Sequence, residues 1–206
     1  VQCSRGTEPG NVKPSTEPAP TPAAPSTSGG PSAPAPLTSH DAVPTAAPAT
    51  AGSVAGIAGI EWTIPASWKL QPDRPMRVVT YSIPAAAGDS EGAECAVFFF
   101  GSGQGGNVRA NIDRWIGQFE TDSKPKESTN VVNGIQVTTV DIAGTYLAPG
   151  GPMMQSQGKK TGYRLLGTIV EAPEGAVFFK TTGPAASVTA SEKDITGLVN
   201  SIHKSH

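Results

Sequence analysis

Gly101, Gly103 and Gly106 stand in the spacing Gly-x-Gly-x-x-Gly, after the apolar run 94–100 and before an amphipathic stretch. Strand, glycine turn and helix in that order make the pattern that cradles a dinucleotide pyrophosphate. The surroundings argue against it. About 40 residues of strand-like sequence precede the turn, and Asn107 caps the helix immediately after the third glycine. A hairpin follows the helix where a parallel strand should come, and Asp122 sits at the helix end, before any strand. The expectation is a tight turn that passes a central strand into its covering helix, with glycine supplying the positive φ.

Other residues with chemical capacity are few. His40, His203 and His206 are the histidines. His203 and His206 have the i, i+3 spacing that can pinch a metal, but a solvated tail is the expected reading, outside the strand region. No histidine is placed to serve a Ser-His-acid triad or Cys95. Glu91 with Glu94, or Asp141 with Glu171, are the candidate carboxylate pairs for acid–base work, against the simpler expectation of solvated loop and edge carboxylates. Met153 and Met154 offer soft thioethers for Cu(I), or a loop folded onto the sheet. Trp62 and Trp115 read as core, whereas Trp68 is expected to line a surface groove. No catalytic residue, metal ligand or cofactor site is assigned. Trp68, Met153 and Met154 are the expected ligand or partner surface.

The chain that must position these residues is of two kinds. Residues 1–55 hold eleven of the 20 prolines, no aromatic residue, and Val1, Val12, Leu37, Val43 and Val54 as the large aliphatics. Such a tract cannot bury enough apolar surface to offset its chain entropy, so it is expected to be a disordered, partly polyproline-II linker. Residues 56–206 suit one domain. The net charge of -2 divides evenly: Arg5 and Lys13 against Glu8, Glu17 and Asp41 give the tail -1, and the remainder contributes -1. Neither part is basic enough to track a nucleic acid. No apolar run approaches the roughly 18 residues of a transmembrane helix.

Within the domain, Ile60, Trp62 and Ile64 alternate with Glu61 and Thr63 as a half-buried strand, and 76–83 gives a second. The continuous apolar run 94–100 predicts a central strand covered on both faces. Val108, Ile112, Trp115, Ile116 and Phe119 form one stripe, which predicts a helix over 107–120 capped by Asn107, followed by a polar loop over 121–130. Asn133-Gly134 signals a type I′ hairpin, and Pro173-Glu174-Gly175 a second hairpin between 163–172 and 176–182. A final helix is predicted from Thr189, with Glu192 completing a capping box and Ile195, Leu198, Val199 and Ile202 as its stripe. The class is α+β: an antiparallel sheet of about six to seven strands with a helix packed on each face, preceded by the tail.

The segments IEWTIPASW, AVFFFGSGQGGNVRANIDRWIGQF, VDIAGTY and AVFFKTTGPAASV, with the short final helix, resemble a family of uncharacterised bacterial exported proteins and lipoproteins. The architecture of that family looks like the PsbP-like fold, an α/β/α sandwich shared by photosystem II extrinsic subunits and a Ran-binding relative. The resemblance covers about residues 58–203, and its most specific part is the block strand–GSGQGG–helix. It implies a small binding or assembly module without shared catalytic residues, so no functional residue is carried over.

Two functions are therefore expected in order. One is a non-catalytic, envelope-tethered module with a protein partner. The other is a small-molecule binder or enzyme using a pocket between the 101–106 turn and the 147–162 loop. The tether rests on Cys3. It is followed by Ser4 and a long spacer, as a lipid-bearing cysteine freed by signal-peptide cleavage would be, although Gln2 departs from the small residue usual before it. The expected location is the bacterial cell envelope, periplasmic or surface-exposed, or simple secretion without the lipid. A single acyl chain binds a membrane marginally, so durable anchoring needs several chains. The full-length precursor expressed in a bacterial host should partition into detergent, and Cys3→Ala should stay in the aqueous phase. An unmodified Cys3 thiol in the mass spectrum of the mature N-terminus would end the lipoprotein reading.

Overall fold

The computed structural model describes residues 52–148 and 158–206. Cys3, Met153 and Met154, and all but the last few positions of the expected linker, lie outside the described residues. The described residues open with strands β1 (Val54–Ile57) and β2 (Ile60–Thr63), so regular structure is present within the tract assigned to the linker. β3 (Lys69–Leu70), β4 (Val79–Ile83) and β5 (Ala93–Phe99) follow, then helix α1 (Val108–Ile116). Next come β6 (Phe119–Glu120), β7 (Lys126–Val132), β8 (Ile135–Leu147), β9 (Lys159–Ala172) and β10 (Gly175–Pro184). Helices α2 (Ala185–Ala190) and α3 (Glu192–Ser201) and strand β11 (His203–Lys204) end the chain.

The α+β class stands, with every strand pairing antiparallel, but the strands divide differently from the expectation. Eight form one sheet in the order β3-β4-β5-β10-β9-β8-β6, with β7 also on β8. The other three, β1-β2-β11, form a separate sheet. One cover is therefore α1, and the other is a composite of the small sheet with α2 and α3, not a single helix. The two-residue strands β3, β6 and β11 are too short to show any periodicity. β7 is polar and almost wholly exposed, so the stretch read as a loop over 121–130 carries a strand with no buried face to mark it.

Alternation along each strand builds the two cores. On one face Tyr81, Cys95, Val97, Val170, Val177 and Phe179 meet Ile60, Trp62, Ile195, Leu198 and Ile202. Trp62 stands edge-on to Phe179, their centroids 5.1 Å apart. On the other face Phe178, Leu165, Ile169, Val140 and Ile142 meet Ile112 and Trp115 of α1. Trp115 is edge-on to Phe178 and lies against Gly167, where an added Cβ would fall 2.4 Å from the indole ring.

Local signals worked where backbone chemistry is strict. Asn107 caps α1, its Oδ1 accepting from the Ala110 amide at 2.8 Å. Asn133 and Gly134 both hold positive φ, 48° and 78°, as a type I′ turn requires. Two boundaries move. α1 stops at Ile116 with Gly117 as C-cap, so Phe119 packs from a strand and not from the helix. Thr189 lies inside α2 instead of opening the last helix; α3 starts after Ser191, which makes no side-chain cap bond.

Removing the indole in Trp115→Ala should cost about 3–5 kcal/mol, measured by urea unfolding. Gly167→Ala should destabilise the wild type by about 1–3 kcal/mol through overpacking, and far less in the Trp115→Ala background. Equal penalties in both backgrounds would show that the indole does not depend on the missing Cβ.

Candidate functional site

The glycine turn is packed at Gly105, while Gly103 has nothing within 4 Å. Gly101, Gly103, Gly105 and Gly106 all have positive φ, and a Cβ on Gly105 would fall 2.9 Å from Phe100 and 3.0 Å from Phe178. The strand before it, β5, has antiparallel neighbours on both sides, and the amide of Ala110 is taken by Asn107. A parallel βαβ crossover is absent from this block.

Along the same face of the large sheet, beyond α1, a cleft of about 620 Å³ opens. Its floor comes from strand positions that point away from the composite cover: Ser82 on β4, Glu94, Ala96 and Phe98 on β5, and Lys180 and Thr182 on β10. Lys180 pairs with Ala96 across β5–β10, and Thr80 pairs with Ala96 from the other side, so the smallest side chain lies mid-floor. Tyr146, Lys160 and Tyr163 close one end, and the loop carrying Gln71, Arg74 and Arg77 forms a rim. The expected pocket is thus half displaced. Ala148 and Lys160, which flank the 149–157 stretch, line it, but the glycines of 101–106 do not.

The rim loop turns at Arg74-Pro75-Met76-Arg77, closed by the Arg77 amide donating to Arg74 O at 3.3 Å. Proline at the second position and positive φ at the third describe a type II turn, in which Met76 occupies the glycine-favoured position with φ 65°. Both arginines then reach one carboxylate. Arg74 Nη1 donates to Glu94 Oε2 at 2.8 Å and Arg77 Nη1 to Glu94 Oε1 at 2.6 Å. Arg77 also lies over the Phe98 ring, 5.7 Å from its centroid.

Glu91 sits at the far end, where the Tyr163 hydroxyl donates to its Oε1 and Lys160 Nζ approaches at 3.1 Å. The tyrosine hydrogen bond and the ammonium hold the Glu91 carboxyl below its usual range. Burial and the nearby carboxylate push the Tyr163 phenol up. Glu91 and Glu94, the sequence candidates for acid–base work, do share the cleft, but each serves as a counterion. Asp141 is held by both Arg164 Nε and Nη2 at 2.9 Å on the opposite face, away from Glu171.

Lys180 differs from the other cations. Its ammonium donates to Gln118 Oε1 and reaches Tyr146 OH at 3.5 Å, and among the described residues no carboxylate pairs with it. Burial, reinforced by Arg77 and Arg114, lowers its pKa to about 8, with Glu94 opposing weakly. Nothing in the sequence pointed to it: Lys180 closes the apolar run 176–179, and only the register places it opposite Ala96.

The remaining candidates fall elsewhere. Trp68, expected at a surface groove, is 1% exposed and packs against Tyr81, because the chain after Pro65 folds the indole into the core. His203, expected in a solvated tail, lies in β11 opposite Glu61, with Nδ1 2.9 Å from Ser201 O. No cluster of three or more His, Cys, Asp or Glu suited to a metal occurs among the described residues. Cys95 is buried and its thiol is pushed up to about 12, chiefly by burial.

No protein-family model and no curated protein matches the chain. Among solved structures it is similar to a Pseudomonas aeruginosa protein of unknown function, a putative regulator, at 14% identity and TM-score 0.40 over 72% of this chain and 93% of that one. It is also similar to the cyanobacterial PsbP of Synechocystis, at 11% identity and TM-score 0.42 over 73% of this chain and 95% of that one. At these scores neither likeness carries an argument about the cleft.

The linkage at Lys180 has a definite sign. Below about pH 8 the folded chain bears the cost of the buried charge in full. From there up to the ordinary lysine value the unfolded state binds the proton and the folded state does not, so this group's contribution to stability rises with pH. Cys95 pulls the other way above about pH 9, since its folded value is raised. Lys180→Met should therefore be more stable than wild type at pH 7, and the gap should narrow by pH 10, read as the difference between paired urea titrations. A gap independent of pH would show that Lys180 carries no such cost.

Proposed function

We propose that this chain is a non-catalytic binding module, held at the bacterial cell envelope through Cys3 and its proline-rich spacer, whose cleft holds a small molecule. The observation that carries the reading is the cleft itself. Strands β4, β5, β8, β9 and β10 all send side chains into one concavity of about 620 Å³, within the range of sites for small ligands. Its polar groups are arranged for recognition. Glu91 and Glu94 are each committed to cations and the Tyr163 phenol is held protonated, so the cleft presents donors and paired charges, with Lys180, its pKa lowered to about 8, left to meet a ligand. A concavity of this size is read here as a small-molecule site, in place of the protein partner expected from the sequence. The tether rests on the composition of residues 1–55 and on Cys3, and the family resemblance agrees with it.

The test is occlusion. Ala96→Phe places a ring over the middle of the floor, and Ser82→Phe does so from the neighbouring strand. A mixed library of acidic, neutral and basic small molecules, screened by thermal shift, should yield ligands that raise the melting temperature of the wild type and of neither variant. Hits that stabilise both folded variants as much as the wild type would remove the cleft from the reading.

A further inference from the structure

The cleft gathers more positive charge than its own carboxylates answer. Arg74, Arg77, Lys160 and Lys180 line it against Glu91 and Glu94. Glu94 is shared by both arginines and Glu91 is taken by Lys160 and Tyr163, which among the described residues leaves Lys180 with neutral acceptors alone. Arg114 of α1 adds to the field at Lys180, and its own guanidinium donates to the neutral Asn111 Oδ1. A second, independent feature lies beside the ammonium. Thr182 is two residues along β10, on the same face of the strand. Thr182 lines the cleft, and its Oγ1 is buried with no hydrogen-bond partner among the described residues.

A desolvated ammonium with no counterion and a buried hydroxyl with no partner are each unfavourable in the empty fold. One negatively charged group would satisfy both, accepting from Lys180 Nζ with one oxygen and from Thr182 Oγ1 with another. The remaining space sets the size and polarity of the body attached to that group. The volume is on the order of twenty times the roughly 30 Å³ share of a water molecule, far more than an inorganic anion fills. Ala96 and Phe98 continue the floor as an apolar strip. The net charge of -2 gives no general attraction for a polyanion.

On the reading that the cleft is a ligand site, we propose that its ligand is a small organic acid. Its carboxylate or phosphate seats on Lys180 and Thr182, and its apolar body lies along Ala96 and Phe98. Arg77 and Arg114 supply long-range attraction, while Lys180 supplies the discrimination.

Calorimetric titration of the full chain at pH 7 with a matched set tests this: phenylacetate, phenyl phosphate, phenylacetamide, phenethylamine and inorganic phosphate. The expected result is that one or both organic acids bind at least tenfold more tightly than the amide, and that the amine does not bind. The tighter of the two identifies the head group as carboxylate or phosphate. Lys180→Met should lose at least tenfold in acid affinity and a much smaller factor in amide affinity, Lys180→Arg should recover most of the acid affinity, and Thr182→Val should lose a smaller factor. Amide binding equal to acid binding, blocked by Ala96→Phe, would overturn the organic-acid assignment and leave the cleft as a ligand site. Inorganic phosphate binding as tightly as phenyl phosphate would overturn the apolar body. Acid binding unchanged in Lys180→Met, or no binding by any member of the set at millimolar concentration, would overturn the proposal, and the occlusion screen would then decide separately whether the cleft binds anything.

Discussion

The covering helix is too short for the sheet it covers. Nine residues at about 1.5 Å each give α1 a length of roughly 13 Å, whereas seven strands abreast at about 4.8 Å span nearly 30 Å. On the opposite face the shortfall is met by a composite of β1, β2, β11, α2 and α3, which buries that face broadly. On the α1 face nothing comparable among the described residues extends past Trp115. The sheet must therefore finish that face with its own side chains, and the residues it uses there are Ser82, Glu94, Lys180, Thr182 and the tyrosines. The cleft is the part of a two-sided sheet that the described residues leave uncovered.

That origin explains why the site is strand-built at its floor and loop-built at its rim. Floor positions are fixed by register: Ser82 opposite Glu94, Glu94 opposite Thr182, Ala96 opposite Lys180. The same strands are pinned from behind by Tyr81, Cys95, Val97 and Phe179 in the other core. The rim is fixed by ionic contacts instead. The strained turn at Met76 brings two arginines onto one glutamate, and the loop bearing Glu91 is tied down where Asp89 accepts from both the amide and the hydroxyl of buried Ser187. Partly exposed ion pairs of this kind contribute little stability singly. Their effect here is geometric: they occupy Glu91 and Glu94, and among the described residues Lys180 is left without a carboxylate.

The glycine-rich turn acts on the packing side of this arrangement. Gly105 lets the chain pass against Phe100 and Phe178, and Gly167 lets the Trp115 indole lie on the sheet. Phe178, touched from both directions, joins the turn, the helix and the central strands. A motif that on paper suggests a nucleotide serves to seat the helix whose limited reach leaves the cleft open.

The amino-acid sequence by itself determined the features governed by local rules. Continuous apolar runs marked the strands buried on both faces, and the stripe through Ile112 and Trp115 marked the covering helix. Asn107 and Asn133-Gly134 marked a cap and a hairpin, because their backbone demands are met by few residue types. Tertiary structure alone decided which elements share a sheet, since β7 has no buried face and the two-residue strands have no period. It also put Trp68 in the core and His203 in a strand. The cleft was the least legible part. Its residues come from positions 71 to 183 and converge through pairing register, and the chemistry of Lys180 is set by what surrounds it: burial, two neighbouring cations and no carboxylate of its own, none of which is a property of lysine at position 180.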